Sequence, residues 1–309
     1  MPPRKVPRGS VVPVVTPFRR DGAVDHDTLR RLVEWQVASG SHGISVTGTT
    51  GEPSALTLEE REQVMTTAAE AVDGRVACVP ATGSNNVHET LRLTRFAARL
   101  GVDAALVIVP YYNRPSQEGL YRHFATVLEA TDLPLLVYNI PGRTATNMEP
   151  STLARLRRAY PHLIGVKESN KDFEQASRVL HECGRDFLVL SGIELLCYPM
   201  LAIGGAGHVS ATGNLLPRQV AAIYDLVQQG RHAEALDLHY QLLPLNDAIF
   251  FEINPVPLKW MLAELGLIEP VWRLPLCEPS AATQERLRQV MAGYQLPRSL
   301  EVETPGVAR

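Results

Sequence analysis

Eight short apolar runs rich in β-branched residues, separated by longer amphipathic stretches, constrain this chain more than any other feature. They are Val11–Val15, Gly43–Thr47, Val76–Ala81, Ala104–Val109, Leu135–Asn139, Leu163–Lys167, Phe187–Leu190 and His208–Ala211. Runs of this length and composition read as buried strands. The stretches between them carry helix signals. Leu29, Leu32, Val33 and Val37 recur at helical spacing, with Gly40 as the stop. Thr57 with Glu60 forms a capping box, and Asn86 with Glu89 is placed similarly before a helix ending ahead of Gly101. Asp172 with Gln175 opens another helix, which Gly184 closes. Strand–helix alternation repeated eight times, with right-handed crossovers, closes into a (β/α)8 barrel, an α/β fold of the TIM type. The competing open sheet would carry a glycine-rich dinucleotide fingerprint after an early strand, and the sequence has none.

After Asn214 the pattern is helical only: Leu215–Gln229 completes the barrel, and Ala233–Leu243, Pro255–Leu265 and Ala281–Met291 form a C-terminal extension. The expected organisation is an N-terminal arm (1–8), the barrel (9–230), the helical extension (231–294) and a flexible tail (295–309). With 45% apolar and 20% charged residues, a net charge of −3 and a pI near 6.3, nothing suggests a nucleic-acid partner. No apolar stretch approaches the roughly 18 residues of a membrane span. Residues 1–8 lack the apolar core of a secretory signal. Cys78, Cys183, Cys197 and Cys277 form no metal or disulfide pattern, so reduced thiols and a cytoplasmic location are expected. The nine histidines form no metal-binding motif, and no metal is expected.

Lys167 closes the sixth strand, and lysine is scarce here. Only Lys5, Lys167, Lys171 and Lys259 occur among the 30 basic residues. An ammonium at the end of a buried strand is costly unless paired or neutral. A desolvated lysine can attack a ketone as the free amine, which arginine cannot do. The structural alternative is a lysine that reaches water or pairs with Glu168.

In such barrels chemistry gathers on the loops after the strands. The second strand is followed by Gly48-Thr49-Thr50-Gly51-Glu52, whose open N–H groups and hydroxyls suit a small carboxylate. The fourth leads into Pro110–Pro115 with paired tyrosines, and the fifth into Tyr138–Thr144. Tyr138 and Lys167 end adjacent strands, so a phenol facing inward could reach an adduct on the lysine. Gly165, two residues before Lys167, would leave room beneath the ammonium. Arg143 could meet a second carboxylate with its planar fork. Gly204-Gly205-Ala206-Gly207 precedes the eighth strand and falls on the opposite, stabilising face.

Together these motifs, with Val15–Phe18, Gly165–Glu168 and Asn254–Trp260, resemble the dihydrodipicolinate synthase / N-acetylneuraminate lyase family from about Gly9 to Leu276. The resemblance implies that Lys167 forms an imine with pyruvate and that Tyr138 shuttles protons. It also implies that Thr50, and Tyr112 from a neighbouring subunit, complete a relay. Thr49 and Thr50 would hold the pyruvate carboxylate, Gly192 and Val209 would line the pocket, and no separate cofactor would be needed. Pro141–Thr144 resembles the synthase branch, in which the arginine binds aspartate semialdehyde, and a homotetramer is expected. Pro53, Leu58, Arg61 and Ile193-Glu194 depart from the pattern of lysine-making, lysine-inhibited members. Two other readings therefore stand beside condensation of pyruvate with L-aspartate 4-semialdehyde. One is an aldolase or dehydratase acting on a sugar-derived 2-keto-3-deoxy acid, and the other a non-catalytic effector-binding barrel.

Overall fold

The computed structural model describes residues 4–301. Eight strands pair in parallel: β1 (Gly9–Pro13), β2 (Gly43–Ser45), β3 (Ala77–Cys78), β4 (Ala105–Ile108), β5 (Leu135–Asn139), β6 (Leu163–Glu168), β7 (Leu188–Ser191) and β8 (Gly207–Val209). Their order is β3-β2-β1-β8-β7-β6-β5-β4. A parallel bridge between Ala81 and Leu106 joins the two ends and closes the barrel. There the Leu106 N–H donates to Pro80 O and the Thr82 N–H to Leu106 O, both at 2.9 Å.

Side chains alternate across the pleat, and this alternation separates two apolar layers. Val11, Leu106, Leu136, Leu188, Leu190 and Val209 fill the barrel. Their neighbours Val12, Val107, Val137 and Val189 face outward into the layer packed by helices. At Gly165 an added Cβ would collide with Leu188 O and lie 2.8 Å from Leu136 Cδ2. The missing side chain therefore admits the neighbouring strands, and the space at Gly165 is taken by Leu136 and Leu188.

The helices are α1 (His26–Ala38), α2 (Leu58–Val72), α3 (Val87–Leu100), α4 (Gln117–Glu129), α5 (Pro141–Thr144), α6 (Pro150–Ala159), α7 (Phe173–Cys183), α8 (Cys197–Ala202), α9 (Pro217–Gln228), α10 (His232–Gln241), α11 (Leu243–Ala248), α12 (Val256–Glu264) and α13 (Ala281–Met291). The Thr57–Glu60 capping box forms with both of its hydrogen bonds. The pair before α3 does not: Asn86 caps the helix through the His88 N–H, while Glu89 accepts from Ser84 Oγ at 2.7 Å. Gly101 ends α3 with a left-handed φ of 75°. The expected tail begins at Gln295. Leu296 and Leu300 pack against the outer core, and 302–309 lie outside the described residues.

Candidate active site

Register fixes the centre of the site. Tyr138 on β5 pairs with Lys167 on β6, which pairs with Leu190 on β7. All three therefore share the inward face at the C-terminal rim. Lys167 is buried, with Nζ 4.0 Å from the centroid of the Tyr138 ring. Glu168, the carboxylate that could have paired with it, turns to the other face. Its oxygens accept from Asn139 Nδ2 (2.9 Å), Gln175 Nε2 (3.0 Å) and the Asn170 N–H (2.8 Å). Burial pushes the Glu168 carboxyl up, against donors that favour the anion. Because Asn139 follows Tyr138 and Glu168 follows Lys167, their hydrogen bond ties the rims of β5 and β6 together behind Tyr138 and Lys167.

Gly192, after β7, lies directly on the lysine. An added Cβ would overlap Ser169 Oγ and sit 2.7 Å from Lys167 Cε. Val209 and Lys167 line the same small internal cavity beneath the rim. Glu194 is buried beyond Gly192, and its Oε1 accepts from the Ala211 N–H at 2.8 Å. Burial raises its carboxyl pKa, while that N–H and the charge of Lys167 pull the other way.

The turn after β2 is a 3-10 helix over Thr49–Gly51, ended by Glu52 in the left-handed region at φ 54°. Successive side chains in such a turn point about 120° apart, so only one threonine can face Tyr138. That residue is Thr49, whose Oγ1 lies 3.4 Å from the Tyr138 hydroxyl. Thr50, expected in the relay, instead accepts at Oγ1 from Asn254 Nδ2 at 3.1 Å. The hydroxyl beside Tyr138 is thus that of Thr49 and not that of Thr50.

Above this centre opens a cavity of about 760 Å³ whose lining includes Thr49, Glu52, Tyr111, Tyr138, Arg143 and Asn254. Arg143 sits on the one-turn α5, and its Nη2 donates to Asn254 O at 3.2 Å. At the far side Arg61 is buried, donating from Nη2 to Ala81 O and Gly83 O; burial lowers its pKa to about 10. Tyr112 is 91% exposed and outside the lining of this cavity. It and Arg114 hold left-handed φ values of 73° and 46°, each at a cost of about 1–2 kcal/mol.

Two contributors come from the C-terminal extension. Lys259 of α12 is buried, with Nζ 2.5 Å from Glu52 Oε1 and 4.2 Å from the centre of the Phe18 ring. Burial pushes Glu52 up and Lys259 down, and each charge opposes the shift in the other. Asn254 and Lys259 belong to a motif visible in the sequence. Their contacts with Thr50 and Glu52 span about 200 residues, which no local pattern encodes.

A closed parallel barrel carrying a buried lysine against a tyrosine at its C-terminal rim, below a cavity with an arginine, is an enzyme scaffold of the imine-forming type. A model of the dihydrodipicolinate synthetase family matches residues 6–293. A 4-hydroxy-tetrahydrodipicolinate synthase of Thermus thermophilus is 49% identical over 94% of this chain and 97% of its own. Among solved structures, dihydrodipicolinate synthase from Aquifex aeolicus superposes with a TM-score of 0.92 at 40% identity, covering 94% of this chain and 99% of that one. The Acinetobacter baumannii enzyme, complexed with pyruvate, gives 0.90 at 35% identity over 93% and 99%. The chain belongs to the dihydrodipicolinate synthetase family.

Proposed function

We propose that this chain is a 4-hydroxy-tetrahydrodipicolinate synthase, a lyase that condenses pyruvate with L-aspartate 4-semialdehyde for lysine and diaminopimelate synthesis. The observation that carries the reading is the pairing of Lys167 with Tyr138 in one register, with Nζ 4.0 Å from the ring. The neutral amine of Lys167 adds to the keto carbon of pyruvate, and a proton delivered through Tyr138 lets the resulting hydroxyl leave as water, giving a protonated imine. That cation is an electron sink, so a methyl proton leaves and an enamine forms. The enamine carbon attacks the aldehyde of the second substrate. Tyr138 moves protons to and from the adduct, and the Thr49 hydroxyl beside it is the next carrier. Backbone N–H groups and the Thr50 hydroxyl hold the pyruvate carboxylate, and Arg143 holds that of the semialdehyde. Gly192 and Val209 shape the pocket around the lysine.

Tyr112 extends the relay only if a second chain brings it to a mouth, and the strained backbone of its loop supports a partner there. The assembly is a homotetramer. The chemistry runs through the chain's own lysine, without a metal, and the enzyme works in the cytoplasm. No helix among the described residues is long and apolar enough to cross a membrane.

Borohydride treatment in the presence of pyruvate should add a stable mass to the peptide carrying Lys167, and Lys167→Arg should abolish it. An unmodified peptide would reject the imine. Adduct formation without turnover of aspartate semialdehyde would reject the second substrate while leaving the mechanism in place.

A further inference from the structure

One residue touches both groups assigned to substrate carboxylates. Asn254 lies just before α12 and is buried. Its Nδ2 donates to Thr50 Oγ1 at 3.1 Å, and its backbone carbonyl accepts from Arg143 Nη2 at 3.2 Å. Its Oδ1 is buried without a partner among the described residues. A buried amide oxygen left unpaired costs about 1–3 kcal/mol, so stability alone does not account for an asparagine here. The other end of the amide does have an effect. A hydroxyl oxygen that receives a donor keeps its own O–H to give elsewhere.

We propose that Asn254 is a positioning residue: it holds Thr50 as a donor to the pyruvate carboxylate and links that donor to Arg143. The inference rests on the reading of pyruvate as first substrate. Asn254→Ala removes the side-chain bond to Thr50 and keeps the backbone carbonyl that accepts from Arg143. Asn254→Asp inverts that bond, since a carboxylate accepts the Thr50 proton and repels the carboxylate of the substrate.

The test combines steady-state kinetics with borohydride trapping at graded pyruvate concentrations. Asn254→Ala should raise the KM for pyruvate about tenfold, the worth of one hydrogen bond. Asn254→Asp should raise it about a hundredfold or more. Both variants should reach full adduct at saturating pyruvate, with kcat within about threefold of the parent, a split that general loosening of the fold would not give. In a Thr50→Val background, Asn254→Ala should add less than about twofold, because the interaction is already gone. An unchanged KM in Asn254→Asp, a fall in kcat alone, or additive effects in the Thr50→Val background would each overturn the assignment. Should Asn254→Asp not fold, the Ala/Val cycle decides. Absence of any adduct in the parent protein overturns both this inference and the reading beneath it. A parent adduct whose pyruvate dependence Asn254→Asp leaves unchanged overturns this inference alone.

Discussion

A glycine against the reactive side chain makes position, more than chemical identity, the exposed variable at Lys167. The Cβ of an alanine at 192 would need the space held by Ser169 Oγ and lie 2.7 Å from Lys167 Cε. The lysine would have to swing from its place over the Tyr138 ring. Misplacement of a reacting group by about 1 Å can cost about a hundredfold. Gly192→Ala should therefore lose roughly that factor in turnover while keeping its helical circular dichroism. Near-native turnover would show that the lysine tolerates a different seat. The placement of Tyr138 beside Lys167, with Arg143 just beyond, was legible in the sequence because each stands in a short motif at the end of a strand. The exchange between Thr49 and Thr50 was not legible, since both lie in the same Gly-Thr-Thr-Gly stretch. Which hydroxyl faces Tyr138 depends on the rotation of a 3-10 turn, and the other hydroxyl meets a partner 204 residues away.

At the scale of elements, the eight strand runs carried the fold. Alternation between inner and outer layers marked β1, β4, β5 and β7 in particular. The capping box of α2 and the glycine stop of α3 were plain from local residues, whereas α11, a short separate helix opened by Leu243-Pro244, was not. The link between α12 and the turn after β2 was equally hidden, because it is a contact between distant segments. Lys259 and Glu52 are both 1% exposed at the side chain, so removing one strands the other. Lys259→Met should destabilise the protein by about 3–5 kcal/mol in denaturant titrations. The double variant Glu52→Gln with Lys259→Met should recover much of that loss. A single variant as stable as the parent would mean that Glu52 finds another partner.

For the whole molecule, two properties can be measured. Buried His208, on β8, has neither ring nitrogen bonded among the described residues. Burial lowers its pKa from 6.5 to about 4, with His42 and His239 adding repulsion. A depressed value in the folded state means that the unfolded chain binds the proton first. Stability from this residue is complete above pH 6.5 and is lost as pH falls to about 4. The loss amounts to about 3 kcal/mol. His208→Leu should flatten this part of the stability profile, and an unchanged slope would assign acid sensitivity elsewhere. Assembly is the second property. Light scattering should find a tetramer, and a fully active single chain would remove Tyr112 from the relay.

The reach of the C-terminal extension over the mouth also sets a timetable for biosynthesis. Lys167 and Tyr138 leave the ribosome well before Asn254 and Lys259 do. A nascent barrel would already hold its amine while the carboxylate cradle was still unbraced. Tight capture of the first substrate would then arrive late, when the last quarter of the polypeptide docks.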